Sequence, residues 1–108
     1  MAWQKFALNR PGNTPLEFIG KEFCVTVLPQ IERAFNERVA FYIRQDGEVA
    51  LECATQNNQM LHESVTVHET LETAVDFLAT LPLGKDLYEQ AFEDLASRGL
   101  WGARGTND

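Results

Sequence analysis

Between residues 38 and 55 apolar and polar side chains alternate with a period of two, interrupted once by Asp46-Gly47. Successive side chains on a strand point to opposite faces, and Asp-Gly between apolar runs marks a tight turn, so this stretch predicts a β-hairpin. Two loop geometries compete. A two-residue loop would set Val39, Phe41 and Ile43 on one face with Glu48 and Glu52. A three-residue loop, with Gly47 in the left-handed region, opposes Arg44 to Glu48. One face then carries Val39, Phe41, Ile43, Val49, Leu51 and Cys53, and the other Ala40, Tyr42, Arg44, Glu48, Ala50 and Glu52. A one-residue slip exchanges the faces, so the wholly apolar face selects the three-residue loop.

Upstream the spacing lengthens. Thr14-Pro15-Leu16-Glu17 reads as a helix start, with Thr14 as the cap, Pro15 where a missing N–H does no harm, and Glu17 closing a capping box. Leu16, Ile19, Phe23, Val27, Ile31 and Phe35 follow at helical spacing. Pro29 cannot bond back to Val25 and would kink the helix, although Val25-Thr26-Val27 also suits a strand ending there. Residues 3–8 read as a short edge strand and 9–13 as a turn.

Downstream, Gln56 to Gln59 is a polar loop. Ser64 to Val67 reads as a third strand, with Val65 and Val67 facing the core. Leu71, Ala74, Val75, Leu78 and Leu81 form the stripe of a helix from Glu69 to Leu81, stopped by Pro82 and Gly84. Asp86 and Glu89 open a second helix with Leu87, Ala91 and Leu95 inward, flanked by Tyr88 and Phe92, and Gly99 ends it.

The expected architecture is therefore α+β. A small antiparallel sheet, the hairpin 38–55 plus one or two short strands, is covered on one face by a kinked N-terminal helix and a C-terminal helical hairpin. Residues 1–101 form a single domain and 102–108 a mobile tail.

Composition supports a packed core. A chain of 108 residues with 44% hydrophobic content and seven Phe has enough apolar surface to fold alone. No apolar run approaches the roughly 20 residues of a membrane span, and Met-Ala-Trp-Gln-Lys-Phe lacks the apolar stretch of a secretory signal. Two cysteines are too few for a disulfide framework, so Cys24 and Cys53 are expected as reduced core residues and the location as cytoplasmic.

The formal charge of −7 changes the functional picture because it is uneven. From Leu61 onward nine acids face three bases, a balance of −6, which leaves −1 for the first 60 residues. Such a face repels phosphate backbones, so direct nucleic-acid binding is not expected, and it attracts a basic partner. Glu72 with Asp76, and Glu89 with Glu93, are like-charged i,i+4 pairs that cost a helix a few tenths of a kcal/mol.

Candidate chemistry is sparse. His62-Glu63 and His68-Glu69 lie six apart, and Cys53 or Glu52 would have to complete a zinc site, but no metal-ligand spacing is present. Ser64 and Ser97 lack a nucleophile-elbow context. No glycine-rich loop precedes a helix to cradle phosphate. No cofactor is expected. The leading expectation is a small acidic non-enzymatic interaction or regulatory module, dimeric, with a protein partner. Its surfaces would be the outward hairpin face (Tyr42, Arg44, Glu48, Glu52) and the helix acids (Glu72, Asp76, Glu89, Glu93). The alternative is a small-molecule binder in which Phe18, Phe23, Phe35 and Phe41 line a cleft for cationic or amphiphilic ligands.

Overall fold

The computed structural model describes residues 3–28, 37–57, 60–81 and 85–99. Five strands come first: β1 (Gln4–Leu8), β2 (Leu16–Leu28), β3 (Glu37–Arg44), β4 (Val49–Asn57) and β5 (Met60–His68). Two helices follow, α1 (Leu71–Leu78) and α2 (Lys85–Ser97). Each strand pairs antiparallel with the next, giving a half-barrel meander ordered β1-β2-β3-β4-β5. No helix among the described residues is long and apolar enough to cross a membrane.

This corrects the expected fold. There is no N-terminal helix over residues 16–28: Leu16–Leu28 is one long strand, paired with β1 on one side and β3 on the other. The helical spacing arose because apolar residues come from both faces of this strand. A bulge between Glu22 and Cys24 then shifts the two-residue alternation midway. Gly20 shows why β2 is a strand: a Cβ there would lie 2.5 Å from the Ile43 carbonyl oxygen and 2.9 Å from the Phe18 ring. Glycine allows β2 to approach β3 closely, whereas in a helix interior it only costs stability. Pro29, Ile31 and Phe35 lie outside the described residues, as does the expected tail.

The hairpin has the three-residue loop. Ile43 stands opposite Val49, Arg44 N–H donates to the Glu48 carbonyl at 2.8 Å, and Gly47 N–H donates to the Arg44 carbonyl at 2.9 Å. Gly47 has φ 93°, the left-handed conformation that a glycine adopts at little cost.

Each sheet face carries a core, where one was expected. On the first, Cys24, Val39, Phe41, Val49, Leu51 and Cys53 pack under Ala74, Val75, Leu78, Leu87, Ala91 and Leu95. There α1 lies over β4 and β5, and α2 over β2 and β3. On the second, Leu8, Phe18, Ala40, Tyr42 and Ala50 form a separate core with Phe6, Leu16, Val25 and Val65. Val65 therefore faces away from the helices, not toward them, because its opposite neighbour Glu52 belongs to the second face. Two helices cover the first face, and the N-terminal strands curl to fill the second.

The helices follow their stripes. Thr70 caps α1 by accepting from Thr73 N–H at 3.1 Å, while Thr70 N–H donates to the Thr73 hydroxyl at 3.2 Å. Gly99, at φ 72°, turns the chain out of α2.

Candidate functional site

The second face carries the densest polar cluster among the described residues. Glu22 on β2, Arg38 and Tyr42 on β3 and Glu52 on β4 converge because Glu22 stands opposite Tyr42, and Glu52 opposite Ala40 between Arg38 and Tyr42. Arg38 Nη2 donates to Glu22 Oε2 at 2.9 Å and to the Tyr42 hydroxyl at 3.3 Å, and Arg38 Nε donates to Glu52 Oε1 at 3.2 Å. The Tyr42 hydroxyl donates to the same Glu52 oxygen at 2.8 Å. One cation thus serves two carboxylates and a phenol. Its charged members are half-buried, where such bonds are stronger than in water.

This cluster changes the role expected of Tyr42. The phenol is 2% exposed, with Phe6 at 4.8 Å and Phe18 at 5.7 Å between ring centroids. It anchors a core and offers no open aromatic patch. Burial, and then Glu52, push its pKa well above the ordinary 10, which keeps it neutral. Burial opposes the charge on Arg38, but the bonds to Tyr42 and Glu52 outweigh it and raise the guanidinium. Arg44 and Glu48 sit apart at the hairpin tip. There Arg44 Nη1 lies 3.8 Å from Glu48 Oε1 and Arg44 Nη2 3.6 Å from Asp46 Oδ2.

The remaining candidates separate. Phe18 lies on the face opposite Phe23 and Phe41, whose rings are 6.1 Å apart. These three cannot line one cleft. Cys24 and Cys53 are buried and unbridged. Burial raises the Cys24 thiol, with Arg98 opposing, and pushes Cys53 up to about 12, with Ser64 opposing. Neither is tuned toward a reactive thiolate. No group of three metal-ligating side chains occurs among the described residues. The His62 side chain lies outside them, and His68 meets the Thr66 hydroxyl at 2.7 Å.

The acids behave differently. Glu72 and Asp76 on α1 and Glu89 and Glu93 on α2 are all exposed, with Glu69 and Asp86 beside them in the same layer. The inward stripes of both helices are packed on the sheet, so these carboxylates form the outer surface of the helical layer. Among the described helix acids Asp94 turns inward, accepting from the Thr26 hydroxyl at 2.6 Å and from Gln90 at 3.1 Å.

The sequence reading missed Arg38 and Glu22, and it missed the second strand, which sets Ile19 and Lys21 beside the edge strand it did expect over residues 3–8. Comparison with protein families, curated proteins and solved structures finds no match to the chain.

Proposed function

We propose that the protein is a small non-enzymatic interaction module that binds a basic protein surface through its acidic helical layer. The observation that carries this reading is the exposure of Glu72, Asp76, Glu89 and Glu93 on the outer side of one layer. Like charges at i,i+4 weaken each helix by a few tenths of a kcal/mol. A partner's lysines or arginines would relieve that repulsion on contact. The same field repels phosphate backbones, which disfavours nucleic acid as the partner. Two buried free thiols suit a reducing compartment and support a cytoplasmic setting.

The test is titration with poly-lysine. Affinity should fall at least about tenfold between about 50 mM and 300 mM salt, as screening shortens the reach of the charges. The quadruple variant Glu72→Gln, Asp76→Asn, Glu89→Gln, Glu93→Gln should lose the binding. Equal affinity at both salt levels, or an unchanged quadruple variant, would remove the proposal.

A further inference from the structure

The helical layer leaves one corner of its own sheet face open. There Lys5 of β1 stands opposite Ile19 of β2, and Lys21 of β2 reaches over Trp3, the residue just before β1. Trp3 is 44% and Ile19 47% exposed, whereas Phe41 and Leu51 on the same face are 1% exposed beneath the helices. The patch is also basic within an acidic chain, holding two of its three lysines. Lys21 Nζ stands 4.5 Å over the Trp3 ring, and Lys5 Nζ lies 3.5 Å from the exposed Glu17 carboxylate. Apolar side chains rimmed by charge have the anatomy of a protein interface.

Position says what fits there. Because α2 covers β2 and β3, the open corner is a step beside it, about one helix diameter of 10 Å deep. The step and the acidic outer side of α2 are neighbours on the same side of the sheet. A two-fold axis between two copies would bring each α2 to the other's step. We propose that the Trp3–Lys5–Ile19–Lys21 face docks α2 of a second copy, with Glu89 and Glu93 against Lys5 and Lys21, in a reciprocal dimer. The pairing is isologous and closes on itself. The inference rests on the acidic helices being the working surface and names the chain itself as their basic partner. It also replaces Tyr42, which is enclosed, as the centre of self-association.

Charge exchange tests it. The wild-type chain should sediment as a dimer at low salt and dissociate as salt rises. Lys5→Glu/Lys21→Glu and Glu89→Lys/Glu93→Lys should each be monomeric, because like charges then meet at both contacts. An equimolar mixture should recover the dimer, since each variant complements the other at both contacts. Lys5→Gln/Lys21→Gln, which adds no repulsion, should weaken self-association by about tenfold, with circular dichroism confirming that each variant folds. A dimer indifferent to these changes would point to pairing through the open β1 edge and overturn the proposal. So would a wild-type chain still monomeric at about 100 μM, well above the Kd of a specific dimer. If that monomer still bound poly-lysine, the acidic-surface reading would survive the loss of the dimer. A charge-exchangeable dimer whose separated protomers ignored poly-lysine would confine the acids to self-association.

Discussion

Tyr42 concentrates the physics of the second face in one side chain. Its ring fills space between Phe6 and Phe18, and its hydroxyl shares Glu52 Oε1 with Arg38. Tyr42→Phe keeps the packing and removes one donor, so Glu52 loses a hydrogen bond it cannot fully replace with water. The expected loss is about 1–1.5 kcal/mol, read as a lower urea midpoint at unchanged slope. Tyr42→Asp is a different experiment. It would put a third carboxylate beside Glu22 and Glu52 at a site 2% exposed, and such a charge costs more than a small domain's margin of stability. That variant should fail to fold. Were it folded with native stability, the enclosed network described above could not be right.

At the scale of elements, the sequence was legible where one signal had one meaning. The hairpin was readable because only one register gives Val39, Phe41, Ile43, Val49, Leu51 and Cys53 a common face, and that register is the one present. The helices were readable because Ala74, Val75 and Leu78, and Leu87, Ala91 and Leu95, repeat with a single period and are buried. β2 was not, because apolar side chains fall on both of its faces and blur its alternation, and its bulge imitates a helical step. The outward role given to Tyr42 failed for the same reason. A sheet assumed to have one wet face turned out to have two cores, and β2, which helps build the second, had been assigned to the helix. Gly20 discriminates the two readings by experiment. In a helix, Gly20→Ala would stabilise by about 1 kcal/mol. In β2 the new methyl meets the Ile43 carbonyl oxygen at 2.5 Å, and overpacking of this kind costs about 1–3 kcal/mol. Thermal melts of the single variant give the sign directly.

For the whole molecule, acid should reveal an imbalance that the net charge of −7 conceals. His68 is the group that carries it. Burial lowers its pKa from the ordinary 6.5, with its ring 5.1 Å from that of Phe77 on α1. The fold therefore favours neutral imidazole, and the unfolded chain takes up the proton first as pH falls. The stability held in this contact is fully present above about pH 6.5 and is lost as pH falls through the lowered value in the fold. Because His68 ends β5 and Phe77 lies on α1, the loss falls on the contact joining helical layer to sheet edge. Unfolding free energy should decline from about pH 7 toward pH 5. His68→Gln, which cannot titrate there, should flatten that limb. Parallel curves for the two proteins, measured by urea denaturation at fixed salt, would show that His68 does not sense pH and that the layer–edge contact is indifferent to its charge.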